Sequence, residues 1–524
     1  MIRLRQIEIE IEKDNEEELI KKCEKKLNTK IRNYKINKKS IDARRKPDIF
    51  YSYEVDVDVD NEKKTLHKIK NDNIFKTPLE KYKYEITGDK LLTNRPVIVG
   101  SGPAGLFCAY LLAENGYNPI IIERGKAVEE RVKDVEEFFN SGKLDTSSNV
   151  QFGEGGAGTF SDGKLNTLKK DKEFRQKKVF EIFVECGAPK EILYESHPHI
   201  GTNILIDVVK NMRKKIIKNG GKFKFSTCLT NLVIENNKLK RIEVNNSRYI
   251  DTDILILAIG HSARDTFRML YQNGIDIESK PFAVGVRIQH KREMIDKCQY
   301  GEKYKLLKSA NYKLTYKAKN NRGVYTFCMC PGGYVINSSS EDERLVINGM
   351  SNYERDSENS NSAVIVTVNE DDFGTNPLDG IKFQEELERL AYLNGKGKIP
   401  TQLYKDFKDN KISKEFGNIN PIFKGSYELT NLNKFLPEFI TESVIEAIEY
   451  WNNKIDVFSS DDAIISAIES RTSSPVRIVR NDKYLSNILG IYPIGEGAGY
   501  AGGITSSAID GVKAFEAIIK EYRN

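Results

Sequence analysis

The chain has 524 residues, 39% of them hydrophobic, and a formal net charge of +6. It is too long for one ordinary domain, and too weakly basic for its charge to argue for a nucleic acid or a membrane surface as the main partner. Seven thinly spread cysteines exclude a disulfide scaffold, and the charged start MIRLRQIEIEIEKD lacks the apolar centre of a signal peptide; both point to a reducing cytoplasm.

Residues 1–94 read as a small β-α-β module. QIEIEIE alternates as a one-faced strand does. EEELIKKCEKKL sets Leu19, Ile20, Cys23 and Leu27 on one helical stripe, and YSYEVDVDVD sets Tyr51, Tyr53, Val55, Val57 and Val59 on one side of a strand. Arg44, Arg45 and Lys46 precede that strand. They suit a phosphate, an RNA or a partner's carboxylates, against the plainer reading of a solvated turn or a contact with the next domain.

A second unit opens at Arg95. Its stretch from Val97 to Ala113 is nearly apolar but holds Gly100, Gly102, Pro103 and Gly105, a poor membrane span. Instead, Gly100-x-Gly102-x-x-Gly105 follows a short apolar strand and opens a helix, and Glu123 ends the next strand, with Arg124 after it. That context makes it a dinucleotide fingerprint. Gly100 allows the tight turn, Gly102 lets the backbone approach a pyrophosphate, and Gly105 lets helix and strand pack. Pro103 and Ala104 open a helix whose free N–H groups attract phosphate. Glu123 suits an adenosine ribose, and its charge disfavours a 2′-phosphate.

Helices are expected at about 129–140, 172–186 and 203–219, and strands near 222–226, 229–235, 240–247 and 250–258. The pattern from 266 to 480 is mixed, with a helix near 378–393. The last 36 residues read as strand, glycine-rich turn and helix. Between the first two of these helices lies NVQFGEGGAGTFSDGKLNT, from Asn149 to Thr167, crowded with glycines; such a cluster implies sharp bends or the close approach of another group. A phosphate P-loop is excluded, because Lys164 precedes Leu165 and not Ser or Thr.

The C-terminal YPIGEGAGYAGGITSSAIDG resembles the second flavin-binding motif of the glutathione-reductase-like FAD proteins. The resemblance gives Glu496 the acidic place that holds the ribityl chain, and has Gly502, Gly503 and Ile504 open a helix toward the flavin ring. DTDILILAIG, ending at Gly260, looks like the strand and turn that pass near the cofactor. More narrowly, GEGGAGTFSDGKL, HPHIGTN, FCMCPGGYV, RTSSPVRI and YPIGEGAGYAGG are similar to the bacterial, functionally uncharacterised FAD-dependent dehydrogenases with a characteristic C-terminal domain, over nearly the whole chain. The resemblance implies FAD as cofactor. It also implies that the loop Gly153–Leu165 runs along FAD, with Gly156, Gly158, Thr159 and Ser161 near it, and Lys164 either solvated or neutralising it.

Three groups are candidates for chemistry. His199, preferred over His197, is a proton donor beside the flavin or a structural histidine; no ligand cluster supports a metal. Cys330, with Cys328, is a flavin-proximal thiol pair or a pair of buried apolar side chains. Arg471 clamps substrate or flavin O2, or sits in an internal ion pair. Tyr500 covers the ring or packs.

The expectation is therefore α/β: a Rossmann-like three-layer FAD/NAD(P)-binding fold from 95–265 and 481–524, an inserted mixed α+β substrate domain at 266–480, and the N-terminal module. The function expected is a cytoplasmic FAD-dependent oxidoreductase transferring hydride between flavin N5 and a small organic substrate. With one fingerprint only, electrons come from transiently docked NAD(P)H, from a protein, or from the substrate. The alternatives are a flavoprotein reaching RNA through residues 1–94, and a non-catalytic flavin-binding sensor or scaffold.

Overall fold

The computed structural model describes residues 1–167 and 171–524. At its centre is a five-stranded parallel sheet assembled from distant parts of the chain. In spatial order its strands are Ile491–Pro493, Leu255–Leu257, Val97–Val99, Ile120–Ile122 and Lys222–Lys224. The three central strands and Ile491–Pro493 are buried on both faces almost throughout and read as short apolar runs, whereas the edge strand Lys222–Lys224 keeps a lysine at each end. Side chains alternate across the sheet. Ile98, Ile121 and Ile256 meet the helices Pro103–Glu114, Thr202–Lys218 and Ile504–Glu521. Val97, Val99, Ile122, Leu255 and Leu257 meet the three-stranded meander Leu229–Asp251 on the other face. These layers are the expected Rossmann-like fold.

The predicted helices occur as Val128–Ser141, Arg175–Glu185, Thr202–Lys218 and Asp379–Asn394. The chain between the parallel strands Leu255–Leu257 and Ile491–Pro493 builds a seven-stranded sheet around Phe282–Lys291 and Asn359–Val368. Alternation divides its faces. Phe282, Val284, Val286, Ile288, Val364 and Val366 pack with Trp451 of the helix Glu438–Trp451. The opposite face carries Ala283, Arg287 and Ala363, with Tyr325 and Phe327 beside them. It is this small and polar face that meets the parallel sheet.

The N-terminal module is a four-stranded sheet, two strands richer than β-α-β: Asn33–Arg45 is added at one edge and the short Ile74–Lys76 at the other. The longer addition, Asn33–Arg45, escapes the pattern because neither of its faces is fully buried, so polar residues occupy both. Arg44 pairs with Asp42 at 2.5 Å, and the Lys46 ammonium donates to the Cys298 carbonyl at 2.5 Å. Two of the three basic residues are thus engaged with the protein itself. Among the described residues, no helix is long and apolar enough to cross a membrane.

Candidate functional site

A cleft opens at the C-terminal ends of the parallel strands, beneath the polar face of the larger sheet. Ligands of open α/β sheets bind there. Its wall includes Gly100, Gly102, Pro103, Ala104, Glu123, Arg124, Gly156, Gly158, Gly260, Glu496, Gly503 and Ile504, so one cleft gathers residues from both distant motifs. Gly105 and Thr159 lie outside the wall. Thr159 is buried, its hydroxyl without a hydrogen-bond partner, and its neighbours are Gly155 and Val209.

The glycines divide by what requires them. Gly100 has φ +96°, and a Cβ there would lie 2.3 Å from the Ala258 carbonyl oxygen; one on Gly105 would lie 2.0 Å from the Gly100 carbonyl oxygen. The protein itself needs both. Gly102 has φ −72°, and its Cβ would meet no protein atom nearer than 3.8 Å; at Gly502 and Gly503 nothing lies within 4 Å. Nothing in the chain explains these three. They cap two helix N-termini on the cleft, the cradle that a closely approaching anionic group needs.

The glycine-rich loop is fastened from behind. Arg131, fully buried, donates to the carbonyls of Asn149, Val150, Glu154 and Gly156 at 2.8–2.9 Å and of Gly153 at 3.3 Å. Burial lowers its guanidinium to about 10. Glu123 accepts from the Ser101 N–H and hydroxyl at 2.9 and 2.8 Å and from the Gly125 and Gly153 N–H groups at 3.0 and 3.1 Å. Four donors occupy a carboxylate's usual acceptor sites, so Glu123 ties the fingerprint to the loop as well as lining the cleft. Burial raises the Glu154 carboxyl to about 7 even though it accepts from the Val128 N–H.

Glu496 stands in the wall with no side-chain hydrogen bond among the described residues, and burial raises its carboxyl to about 7, opposed by Lys280. Glu469 is tied to the fully buried Arg287 by two contacts of 3.0 Å.

The three candidates for chemistry stand differently toward the cleft. His199 is outside the cleft wall; its Nε2 meets the Tyr353 carbonyl at 2.9 Å, its ring stacks on Tyr353, and burial lowers it to about 4. The histidine in the wall is His261, whose Nδ1 lies 2.9 Å from the Ser262 hydroxyl and which burial, then Arg471 and Arg264, lower to about 3. Its signal in the sequence was its position directly after Gly260 at the end of a parallel strand. Cys330 is wholly buried behind the wall, and Cys328 takes the place in it. Arg471 does border the cleft, but four of its five N–H donors go to Glu388 at 2.9 and 2.6 Å, Ser340 at 2.6 Å and Glu341 at 3.0 Å. Arg471 is thus engaged in an internal ion pair at the edge of the cleft. Tyr500 packs against Arg480, 3.8 Å from its ring centre, and Lys164 donates to the Met329 carbonyl.

Comparison with known proteins adds the family. Residues 281–472 match the model of an FAD-dependent protein, C-terminal domain-like; residues 98–142 match an NAD(P)-binding Rossmann-like domain; residues 1–58 match a domain of unknown function. An uncharacterized protein of Clostridium beijerinckii is 45% identical over 531 residues, covering 99% of each chain. The chain belongs to its family. That family is one of FAD-dependent oxidoreductases with this C-terminal domain, and FAD is the cofactor. Solved structures with weaker likeness include L-proline dehydrogenase from P. horikoshii (12% identical, 82% of this chain and 93% of that one, TM-score 0.33) and glycine oxidase from Bacillus cereus (10%, 82% and 99%, TM-score 0.33). A third is the halogenase PltM in complex with phloroglucinol and FAD (10%, 81% and 67%, TM-score 0.36).

The cleft fits FAD. The protein-independent glycines and the unpartnered Glu496 lie where a phosphate-bearing group with hydroxyls to donate would be held. Gly102 and Ala104 would take the pyrophosphate, Glu496 the ribityl chain, and the N-terminus at Gly503 the ring.

Proposed function

We propose that this chain is a glutathione-reductase-like flavoenzyme that transfers hydride between flavin and a small organic substrate. The single observation that carries the reading is the one cleft that joins the fingerprint to Glu496 and the open N-terminus of the helix Ile504–Glu521. When bound, FAD supplies a ring that accepts or gives hydride. The chain's own residues do the rest. The helix N-terminus favours negative charge developing beside it. Phe327, Asn348, Glu469 and Thr472 line the cleft from the larger sheet and the segments beside it. With His199 outside the wall, the titratable side chains among the described residues that line the cleft, arginines aside, are Glu123, Cys228, His261, Cys328, Glu469 and Glu496.

In this reading 95–265 and 481–524 hold FAD, 266–480 shape the substrate pocket, and 1–94 form a separate module. That module contacts the rest through the Lys39 N–H to Tyr194 carbonyl bond of 2.7 Å and the Glu12–Lys303 pair at 2.6 Å. The experiment is to record the visible spectrum of the purified protein and follow anaerobic bleaching with NADH and with NADPH. A yellow protein bleached by either nucleotide supports a reductase fed by NAD(P)H. A folded protein that stays colourless after added FAD defeats the reading.

A further inference from the structure

Arg287 is wholly buried on the polar face of the larger sheet, behind the cleft wall. All five of its N–H donors are placed. Nε and Nη2 donate to the two oxygens of Glu469 at 3.0 Å each, and Nη2 donates also to Asn348 Oδ1 at 3.1 Å. Nη1 donates to Asn361 Oδ1 at 2.7 Å and to the Cys328 carbonyl at 3.1 Å. That carbonyl comes within reach at a bulge: Phe327 pairs with Ala363 and Cys330 with Asn361, so the strand Gly323–Cys330 carries one residue more than its neighbour. The strand Ile347–Met350 comes so near that a Cβ on Gly349 would collide with Nη1.

Two of these partners, Glu469 and Asn348, stand in the cleft wall. Each is fixed by the guanidinium and has hydrogen-bonding capacity left over. A carboxylate offers about four acceptor sites, and Arg287 fills two of those on Glu469. Burial raises this carboxyl, and Arg287 opposes the rise. Asn348 Oδ1 accepts from Arg287 and from the Gly349 N–H at 2.7 Å, so its N–H2 end is the one left to donate. No described residue takes up either remainder. Both side chains are bound to the same nitrogen, Nη2, so acceptor and donor stand side by side.

The charges on the page say what fits. Arg287 and Glu469 cancel, so a cation set against Glu469 would also meet the field of the guanidinium, and an anion set against Asn348 that of the carboxylate. A neutral group suffers neither. It gives an N–H to Glu469 and takes one from Asn348 through an adjacent oxygen.

We infer that Glu469 and Asn348 form a recognition pair for a neutral N–H beside a C=O, the edge of an amide, lactam or imide, and that Arg287 holds the pair in place. The inference rests on the FAD reading above. Two groups can bring such an edge to the cleft: the pyrimidine ring of FAD, whose N3–H lies between two carbonyls, and a substrate of the amide class.

The test compares N–H with N–CH3 at pH 8. In one arm, the FAD-depleted full chain is titrated with FAD and with 3-methyl-FAD, and binding is read from flavin fluorescence. In the other, the FAD-loaded protein is titrated with succinimide and with N-methylsuccinimide, and binding is read from the visible difference spectrum. Methylation is expected to weaken binding about tenfold or more, because a hydrogen bond to a charged group is lost and its acceptor stays buried. Each arm that shows this loss names a source of the edge. Glu469→Gln should abolish the preference for N–H, since Arg287 claims the amide oxygen and turns the N–H2 group to the cleft. Asn348→Asp keeps an acceptor for Arg287 but removes the donor, and should weaken the N–H ligand about tenfold. A yellow protein that shows no loss on methylation in either arm overturns this inference alone, as does a loss that persists undiminished in Glu469→Gln. A protein that stays colourless after added FAD removes it together with the FAD reading. The comparison of ligands on the unaltered chain needs no variant, so it decides even if Glu469→Gln fails to fold.

Discussion

Glu123 accepts the backbone N–H of Gly153 at 3.1 Å, across thirty residues of chain, so the acid that ends the second parallel strand also pins the glycine-rich loop. The same carboxylate holds Ser101, between Gly100 and Gly102 of the fingerprint, through its N–H and hydroxyl. Glu123→Ala is therefore expected to strip FAD and loosen the loop together. Leaving these buried donors without an acceptor costs about 2–4 kcal/mol. The check is a urea unfolding curve beside the ratio of visible to ultraviolet absorbance. A variant that loses flavin but keeps its full unfolding midpoint would show that Glu123 serves the cofactor only.

The glycines give a sharper contrast. Gly102→Ala is expected to lower the apoprotein's stability by no more than the loss of a favourable N-cap, about 1 kcal/mol, because a Cβ there meets nothing nearer than 3.8 Å, but to crowd the approach of the pyrophosphate and give a protein with little or no bound flavin. Gly105→Ala does the reverse. Its Cβ would lie 2.0 Å from the Gly100 carbonyl oxygen, so the fold itself is destabilised, by about 1–3 kcal/mol as an overpacked site. Thermal melts of FAD-free samples separate the two effects. Equal destabilisation by both would remove the argument that a ligand requires Gly102.

How much of this was legible in the sequence depended on how locally each feature is encoded. The fingerprint, the short apolar strands and the long helices are written in neighbouring residues, and they occur close to where the pattern sets them. Gly502 and Gly503 were readable for the same reason. The roof of the cleft was not. Glu469 and Cys328 reach the wall only because the larger sheet pairs strands far apart in the chain, and no spacing encodes a bulge at Cys328. Arg131 left a faint trace: it falls on the apolar stripe Val128, Val135 and Phe138, where a charged residue asks for buried partners. His199 drew attention through scarcity and pairing, and its ring meets a backbone carbonyl outside the cleft wall.

Glu388 is fully buried between Arg264, which opens the helix after Gly260, and Arg471, at the end of the inserted segment. The two guanidinium groups hold its carboxyl well below the usual range, against the opposing effect of burial. Glu388→Ala leaves two buried cations short of their main partner, and the expected loss of stability is about 3–5 kcal/mol. Arg471→Ala should likewise lower stability through the same network. A variant with unchanged unfolding and a weakened substrate response would restore Arg471 as a substrate clamp.

The pH dependence of the FAD-free protein follows from Glu496. Burial raises its carboxyl from 4.5 to about 7, so the folded state binds this proton more tightly than the unfolded chain does. Between those values the folded state holds more protons, and raising the pH through the window removes stability. The melting temperature is expected to fall between pH 5 and 8, and Glu496→Gln should make that fall shallower. Glu154, shifted in the same direction, contributes equally to both proteins and cancels in the difference. Parallel curves for the two would mean that Glu496 is already solvated in the empty cleft.

Arg131 gives the last prediction. It is one buried guanidinium whose three nitrogens all bind carbonyls of the glycine-rich loop, from Asn149 to Gly156. A lysine keeps the charge but offers three donors from a single point, and cannot span five carbonyls lying around a planar fork. Arg131→Lys should therefore open the loop while the sheets stay folded. Limited proteolysis would show faster cleavage within 149–167, and the FAD dissociation constant should rise roughly tenfold or more, equivalent to about 1.4 kcal/mol. Bound FAD should slow that cleavage in the wild type more than in the variant, because only a fastened loop presents its amides in one arrangement. If Arg131→Lys binds FAD as the wild type does and resists protease equally, the loop's shape does not depend on the guanidinium, and the glycine cluster alone holds it.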